Sequence, residues 1–324
     1  MLRLATRRSP LARWQAGEVA RLLRQAHPGL ETELVAVDTA GDRQKDRPLT
    51  EVGGQGVFVK EVQAAVLEGR ADLAVHSAKD LQSVETDGLV LAAFPSRADA
   101  RDALVGTPLA GLLPGATVAT GSVRRRAQLA WRRPDLRFTD LRGNIATRLE
   151  RVPPGGAVIM AQAALDRLGL AAAAAELLDP EVMLPQVGQG AMAAECRADD
   201  APTIALLQAI DDPATATAVR AERAFLARLG SGCALPVAAY ATLREHGART
   251  PTIHIEGLIA ATDGAALVRQ HSSGPAVAGE ALGADLAAAL LATDEGRSLW
   301  GDRRGDGPGA DGPGGPGRGR EGPA

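Results

Sequence analysis

The segment "DLAVHSAKDLQ" (72–82) places polar and ionisable side chains directly after a short apolar run. The apolar run predicts a buried strand, so that His76, Ser77, Lys79 and Asp80 fall at its carboxyl end. In open α/β sheets, ligands bind outside the carboxyl ends of the strands. A carboxylate there can stabilise a developing cation or shuttle a proton, which makes Asp80 and Lys79 candidate catalytic residues. The spacing alone slightly favours a simpler interpretation, in which Asp80 caps the next element and pairs with Lys79 in solvent.

A second group of candidates lies at a predicted strand-to-helix turn, "ATGSVRRRAQLAWRR" (119–133). Thr120 and Ser122 stand in the turn, and Arg124 and Arg125 fall in the first helical turn. The backbone N–H groups at a helix N-terminus form an anion site, whereas the positive end of the helix dipole disfavours cations. Arginines that oppose the dipole therefore predict an anion nearby. The alternative is a solvated basic face.

Two further predicted turns repeat this arrangement of arginine before or inside a first helical turn. They contribute Arg142, Gly143 and Arg148 from "DLRGNIATRL" (140–149), and Arg7 and Ser9 from "ATRRSP" (5–10). One such turn is weak support for a binding site. Three of them in two successive α/β domains predict a cleft that binds a polyanion, and the space between the domains is the natural place for it. Arginine suits this task because its planar fork of donors matches carboxylates and phosphates.

The two cysteines stand in contrasting surroundings. Cys233 lies in the glycine-rich "RLGSGCALP" (228–236), where flexible backbone can approach a bound group and local positive charge would favour the thiolate. The alternative for Cys233 is a small residue in a turn. Cys196 ends the apolar run "AMAAEC" and is predicted to be structural.

Composition excludes several classes of protein. The 324 residues carry a formal net charge of −3, which gives no basic field for nucleic acid. No segment approaches the roughly 20 apolar residues that span a membrane, and the charged "MLRLATRRSP" does not resemble a secretory signal. We therefore expect a cytoplasmic protein with reduced thiols. The five histidines show no metal-ligand spacing, so no metal site is predicted.

Alternating strand and helix patterns predict an α/β protein with two α/β domains and a small α+β C-terminal domain. The first pattern predicts a mainly parallel sheet with helices on both faces, and "GAMAAECR" predicts a strand that returns to it. The final 24 residues include 14 Gly or Pro, which predicts disorder. The expected boundaries are 1–98 with 188–212 for domain 1, 99–187 for domain 2, 213–300 for domain 3, and 301–324 for the tail.

Eight motifs occur in order over residues 1 to about 300. They are "LRLATRRSPLARWQA", "VGGQGVFVKE", "ADLAVHSAKD", "TGSVRRRAQL", "RRPDL", "LRGNIATRL", "LPQVGQGAMAAECR" and "AERAFLARLGSGCALPVAAYA". Each alone would be weak, but together they resemble the porphobilinogen deaminase family, also called the hydroxymethylbilane synthases. The resemblance implies two periplasmic-binding-protein-like α/β domains around a cleft, a small third domain that carries a cysteine loop, and a monomer.

The resemblance also implies a reaction. Four porphobilinogen molecules are joined head to tail with release of ammonia, on a dipyrromethane cofactor bound through a thioether to the cysteine that is Cys233 here. Asp80 matches the family's catalytic aspartate, and Lys79 accompanies it. The implied cofactor-binding residues are Cys233, Asp80, Lys79, Thr120, Ser122, Arg124 and Arg125. The implied substrate-binding residues are Arg7, Ser9, Arg142, Gly143, Arg148, Arg167 and Gln189.

The sequence departs from the family in "TEVGGQG", where Glu51 and Gln55 stand at positions that are often basic. Smaller departures are Gly121, Ser231 and the absence of a proline after Asp80-Leu81, where Gln82 stands. Two other functions are weighed against the enzyme. A non-catalytic small-anion binding module would explain the arginine turns but neither Cys233 nor Asp80. A pseudo-enzyme scaffold is supported only by Glu51 and Gln55.

Overall fold

The structure is a computed structural model that describes residues 1–39, 59–230, 236–246 and 249–301. The expectations for Cys233, for the segment with Glu51 and Gln55, and for the tail beyond residue 301 lie outside these described residues. Within them, no single helix is long and apolar enough to cross a membrane. One pair of helices near the C-terminal end, bent by 89°, passes that test jointly by length and composition.

The first sheet has five strands in the order β2-β1-β3-β10-β4. Their bounds are Leu2–Arg7 for β1, Thr32–Val37 for β2, Leu73–Ser77 for β3, Leu89–Ala93 for β4 and Met192–Arg197 for β10. Helices α1 (Pro10–Ala26) and α6 (Ala201–Gln208) pack on one face, and α2 (Lys60–Leu67) packs on the other. The prediction of helices on both faces is confirmed.

The prediction of a mainly parallel first sheet is confirmed, since four of its five strands run in the same direction. Strand β1 is parallel to β2 and β3, whereas β10 is antiparallel to both β3 and β4. Strand β10 is the exception because it returns from the second sheet and inserts between β3 and β4. The predicted return of "GAMAAECR" is thereby confirmed.

The second sheet repeats this arrangement in the order β7-β6-β8-β5-β9. Its strands are Asp102–Gly106 for β5, Thr117–Ala119 for β6, Arg137–Thr139 for β7, Ala157–Ala161 for β8 and Ala174–Leu178 for β9. Its helices are α3 (Val123–Arg132), α4 (Ile145–Leu149) and α5 (Gln162–Arg167). Strand β6 is parallel to β7 and β8, whereas β5 is antiparallel to β8 and β9. Sequence patterns had not identified β5 and β9.

The third sheet is an antiparallel set of three strands packed on helices. The strands are Val237–His246 for β11, Arg249–Ala260 for β12 and Leu267–Pro275 for β13, and the helices are α7 (Pro213–Leu229), α8 (Gly279–Ala292) and α9 (Asp294–Gly301). Phe225, Ile253 and Leu290 are fully buried between them. The Asp263-Gly264 turn connects β12 to β13, as its sequence predicts.

Two crossover segments join the first two sheets. Residues 94–101 lead from β4 to β5, and residues 179–191 lead from β9 back to β10. The crossovers touch each other, because Ala98 N donates to the Gly190 carbonyl at 3.2 Å and Arg97 Nε donates to the Gln189 carbonyl at 2.9 Å. Each strand belongs to one of the three sheets, and this assignment supports the domain boundaries predicted from the sequence. We propose these boundaries.

Candidate functional site

The turn after β3 forms one wall of the site. Buried apolar side chains fix β3 in the first sheet, and Ala78–Asp80 then form a single 3₁₀ turn that places the half-buried Lys79 and Asp80 at the strand's carboxyl end. Gly188 of the return crossover packs against this turn at φ +70°. An added Cβ there would lie 2.9 Å from the carbonyl carbon of Ala78 and 3.0 Å from Lys79 N. The second crossover therefore holds the backbone that carries Lys79 and Asp80.

The start of α3 forms the opposite wall. Ser122 caps this helix, since its Oγ accepts a hydrogen bond from Arg125 N at 3.4 Å. Thr120 is buried, and its Oγ1 accepts from Ser122 N at 3.2 Å. The predicted strand-turn-helix is confirmed, and the structure adds that Ser122 is the cap.

The anion expected beside Arg124 and Arg125 belongs to the chain itself. Both arginines are buried and form salt bridges with Asp102, at 2.8 Å from Arg124 Nη2 and 2.7 Å from Arg125 Nη2. Burial alone would raise the pKa of Asp102, but the two guanidinium groups outweigh it and lower the pKa to about 2. This corrects the argument that the first-turn arginines require an external anion, because Asp102 already relieves their conflict with the helix dipole.

The turn before α4 lies close to both walls. Asn144 caps α4 by accepting from Thr147 N at 2.9 Å, and Arg148 Nε donates to the Gly143 carbonyl at 2.8 Å. Gly143 adopts φ +112°, a left-handed conformation that favours glycine.

The pKa of Arg148 is shifted by burial and by the charged side chains around it. Burial, followed by the positive charges of Arg125 and Arg142, lowers the pKa of Arg148 to about 10, while the nearby Asp80 carboxylate opposes the shift. The structure therefore brings Asp80 of the first domain to Arg125, Arg142 and Arg148 of the second.

Lys79 is the first-domain cation of the site. Its side chain keeps an intermediate exposure, but protein atoms surround its ammonium group. Burial, then the charge of Arg125, lowers the pKa of Lys79 to about 8, against the opposing effects of Asp80 and Asp102. Burial is the main cause of this shift, and the charges that act on Lys79 are the cations of Arg124 and Arg125 and the carboxylates of Asp80 and Asp102.

Arg167 approaches from α5. Its Nη2 donates to the Gly190 carbonyl at 2.6 Å, and its Cζ lies 5.7 Å from the ring centroid of Trp14 on α1. Burial lowers the pKa of Arg167 to about 10. A small pocket is lined by Ser77, Lys79 and Arg167 among others, so Arg167 faces the same cleft as Lys79.

Gln189 departs from the expectation of substrate contact. Its side chain is fully buried, and its Nε2 donates to the Ala100 carbonyl at 2.7 Å and to Asp102 Oδ1 at 2.9 Å. Its Oε1 accepts from Lys79 Nζ at 3.4 Å. The structure thus places Gln189 behind the cleft surface, where its amide is engaged by the protein.

Arg7 and Ser9 lie at the same edge of the first sheet as Asp80. Arg7 is the last residue of β1, which runs parallel to β3, so the two strands end side by side. Ser9 caps α1 by accepting from Ala12 N at 3.3 Å, as predicted from the Ser9-Pro10 pair.

Sequence reasoning missed the buried carboxylates of the described residues, which are Asp102, Glu195 and Glu222. Asp102 opens strand β5, which itself went unnoticed, and Glu222 lies on α7 among Val219, Phe225 and Leu226. The available signal was an acidic residue on an otherwise apolar face, since buried carboxylates are rare unless they are paired.

The structure describes Cys196 directly, and it describes the chain that leads to Cys233 as far as Gly230. Cys196 is fully buried in β10, and burial raises the pKa of its thiol to about 11, so it stays protonated. Helix α7 ends at Leu229, and Gly230 follows in the left-handed conformation at φ +64°. The chain then enters the segment that contains Cys233.

Two α/β units joined by paired crossovers, with cationic side chains where their strands and turns meet, define a protein class with a cleft between two similar sheets. Two family models match the chain: "Porphobilinogen deaminase, dipyromethane cofactor binding domain" over residues 2–205 and "Porphobilinogen deaminase, C-terminal domain" over residues 216–292. A porphobilinogen deaminase of Syntrophotalea carbinolica is 46% identical over 303 residues, which cover 92% of this chain and 95% of the relative. The chain belongs to the porphobilinogen deaminase family.

Solved structures with some similarity include periplasmic binding proteins. A TRAP solute binding protein from Desulfovibrio salexigens has a TM-score of 0.41 at 10% identity, covering 65% of this chain and 72% of its own. A nutrient binding protein from Burkholderia cenocepacia, bound to methionine, has a TM-score of 0.40 at 15% identity, with coverages of 64% and 90%. Scores of this size are too low to carry an argument, so the fold rests on the strand order described above.

Proposed function

We propose that this chain is a transferase that joins four porphobilinogen molecules head to tail, with release of ammonia, into the linear tetrapyrrole hydroxymethylbilane. Family membership supports the reaction. The observation that carries the proposal at the level of the site is the convergence of Lys79 from the first domain with Arg125, Arg142 and Arg148 from the second around Asp80. A substrate that bears an acetate and a propionate, and a product that accumulates these groups, would offer carboxylates to these cations.

The donor set also fits a dipyrromethane cofactor. When bound, the group would supply a pyrrole carbon on which the chain is extended. Its carboxylates need charged donors arranged on more than one side, and the cleft offers Lys79 from the first domain and the α3 and α4 turns from the second. Arg124 and Arg125 would contribute through the donors that Asp102 leaves available, since each terminal guanidinium nitrogen carries two hydrogens.

Asp80 is proposed as the group that stabilises positive charge on the pyrrole nitrogens during bond formation. Its position supports this role because it stands at the cleft, near Lys79 and Arg148, instead of being committed to a buried ion pair. Arg7, Ser9, Arg142, Gly143, Arg148 and Arg167 are proposed to hold substrate carboxylates. Gln189 is proposed to support them from behind.

Cys233 is proposed as the attachment point of the cofactor. Chemistry supports it against the other thiol of the chain, because a thioether is formed by an accessible thiol and Cys196 is fully buried with a raised pKa. The proposal includes action as a monomer, supported by one chain supplying the charged groups of both cleft walls.

The test is the intact mass of the purified protein, of Cys233→Ser and of the matched control Cys196→Ala. We expect the parent and the control to carry a mass excess equal to two linked pyrrole units, and Cys233→Ser to lack it. If the parent lacks the excess, incubation with porphobilinogen should produce it. A parent that acquires no adduct and forms no tetrapyrrole would overturn the proposed function, and an adduct retained in Cys233→Ser would overturn the attachment point.

A further inference from the structure

The carboxylate of Asp102 accepts hydrogen bonds from three side chains of the cleft region. Its Oδ2 accepts from Arg124 Nη2 at 2.8 Å, and its Oδ1 accepts from Arg125 Nη2 at 2.7 Å, from Arg125 Nε at 3.0 Å and from Gln189 Nε2 at 2.9 Å. The carboxylate is fully buried. It therefore fixes both guanidinium groups relative to one point in the protein.

That point lies where the two crossovers meet. Asp102 is the first residue of β5, at the end of the outgoing crossover, and Gln189 belongs to the returning crossover. The hydrogen bond between them runs beside those from Ala98 N to the Gly190 carbonyl and from Arg97 Nε to the Gln189 carbonyl. The arginines of α3 are thus tied to the junction between the domains as well as to the second domain.

Gln189 extends the connection into the first domain. Its Oε1 accepts from Lys79 Nζ at 3.4 Å, while its Nε2 donates to Asp102. A continuous path of side chains runs from Lys79 through Gln189 and Asp102 to Arg125. Each wall of the cleft contributes one end of this path.

The two arginines have few ways to rearrange. Arg125 Nη1 also donates to the Ile159 carbonyl at 3.0 Å, and Arg124 Nη1 donates to the Leu184 carbonyl at 2.7 Å, so both guanidinium planes are held on two sides. Ordered donors of this kind bind a carboxylate with less loss of side-chain entropy than mobile ones.

We propose that Asp102 is a positioning residue which, through Gln189, holds the cofactor-binding arginines of α3 at a fixed place relative to Lys79. This inference rests on the proposed function, since it assigns Arg124, Arg125 and Lys79 to the carboxylates of the cofactor and substrate. Asp102 touches no substrate; it acts through the groups that it orients.

The experiment compares Asp102→Asn, Gln189→Met and the double variant with the parent. Asp99→Asn is the matched control, because Asp99 lies on the same crossover and pairs with the partly exposed Arg101. Three quantities are measured: the rate at which apo-protein acquires the adduct from porphobilinogen, by intact mass; KM and kcat of the loaded protein; and the thermal midpoint of apo-protein as inorganic phosphate is added.

Asp102→Asn should slow adduct acquisition and raise KM by about tenfold or more, the loss typical of a buried charge-assisted hydrogen bond, with a smaller change in kcat. Asp99→Asn should stay within about twofold of the parent, as expected for a partly exposed pair. Because Gln189 and Asp102 lie on one path, the double variant should be little worse than Asp102→Asn. A double variant whose effects multiply, or an Asp102→Asn protein that behaves like the control, would overturn the inference.

Asp102→Glu is the second variant, to be measured if Asp102→Asn does not fold. It keeps the charge but displaces the carboxylate by one methylene, so we expect a folded protein with raised KM. Parent-like KM in Asp102→Glu would contradict a positioning role. The phosphate titration tests this inference independently of the proposed function. Phosphate should raise the thermal midpoint of apo Asp102→Asn more than that of the apo parent, because the two guanidinium groups of the variant have lost their internal anion. Equal responses would contradict the inference even if the parent forms tetrapyrrole normally.

Discussion

At the scale of single residues, Asp80 is the side chain on which the proposed chemistry depends. Asp80→Asn keeps the size of the side chain but removes the charge that would stabilise cationic pyrroles. We expect tetrapyrrole formation to fall by about 10²–10³-fold, the usual loss when one electrostatic group is removed from a transition state. Adduct mass should be retained. The control is Asp87→Asn, an exposed carboxylate on the segment that follows Asp80, and near-normal turnover in Asp80→Asn would refute the assigned role.

Lys79 should impose a pH dependence on substrate binding. Its pKa of about 8 means that the ammonium group is charged at neutral pH and neutral at pH 9, so KM for the carboxylate-bearing substrate should rise across this interval. Lys79→Arg stays charged, and its KM should remain flatter from pH 7 to 9. The substrate's own titration is common to both proteins and cancels in the comparison. Parallel KM profiles would show that Lys79 does not contribute charge to binding.

The same shift has a consequence for stability. The folded-state pKa of Lys79 lies below the ordinary value of 10.5, so the unfolded chain binds the additional proton between about pH 8 and 10.5. The contribution of Lys79 to the free energy of unfolding therefore increases as pH rises through this window. Bound carboxylates would oppose this effect by favouring the charged form.

At the scale of elements, Gly188 shows how a crossover shapes the turn that carries Asp80. Gly188 and Gly169 both adopt φ +70°, but only Gly188 has neighbours within 4 Å of an added Cβ. Gly169→Ala should cost about 1–2 kcal/mol from its left-handed backbone alone. Gly188→Ala should cost more and also raise KM, because its methyl group would displace Ala78 and Lys79.

Urea unfolding and steady-state kinetics on the two glycine variants check this expectation. The comparison isolates the contact, since the backbone conformation is shared. Equal stability losses with an unchanged KM in Gly188→Ala would mean that the turn adapts without effect on the site.

Elements also show where local patterns mislead. Strand β9 lies within "AAAAAELL", whose residues favour a helix in isolation, yet Ala174–Leu178 pair with β5. Pairing with an already formed strand overrides the local preference, because each residue gains backbone hydrogen bonds and Leu178 becomes buried. Helix α1, which has a clear cap at Ser9 and an apolar face, could be predicted almost to the residue.

At the scale of the whole molecule, Glu222 joins the crossovers to the third domain. Its fully buried carboxylate accepts from Arg97 Nη1 at 2.6 Å, from Gly188 N at 2.7 Å and from Ala241 N at 2.9 Å. Glu222→Gln would leave Arg97 without its counter-ion. The expected loss is about 3–5 kcal/mol in the free energy of unfolding.

The control for this prediction is Glu256→Gln. Glu256 pairs with Arg269, which also donates to the Pro180 and Glu181 carbonyls, but this pair keeps about a quarter of its side-chain surface exposed. Its removal should cost roughly 0–1 kcal/mol. Urea unfolding of both variants measures the difference. Similar losses in the free energy of unfolding would show that Glu222 contributes no more to stability than the partly exposed Glu256.

The sequence was enough to predict the α/β class, the cap of α1, the position of Asp80 after a buried strand, and the family. These follow from local patterns and ordered motifs, which a linear chain displays directly. Only the tertiary structure decided that β10 makes the first sheet mixed, that Asp102 is the anion beside Arg124 and Arg125, and that Gln189 faces Lys79 from behind the cleft. These contacts join residues far apart in the chain, and burial and charge pairing exist only once the two crossovers bring them together.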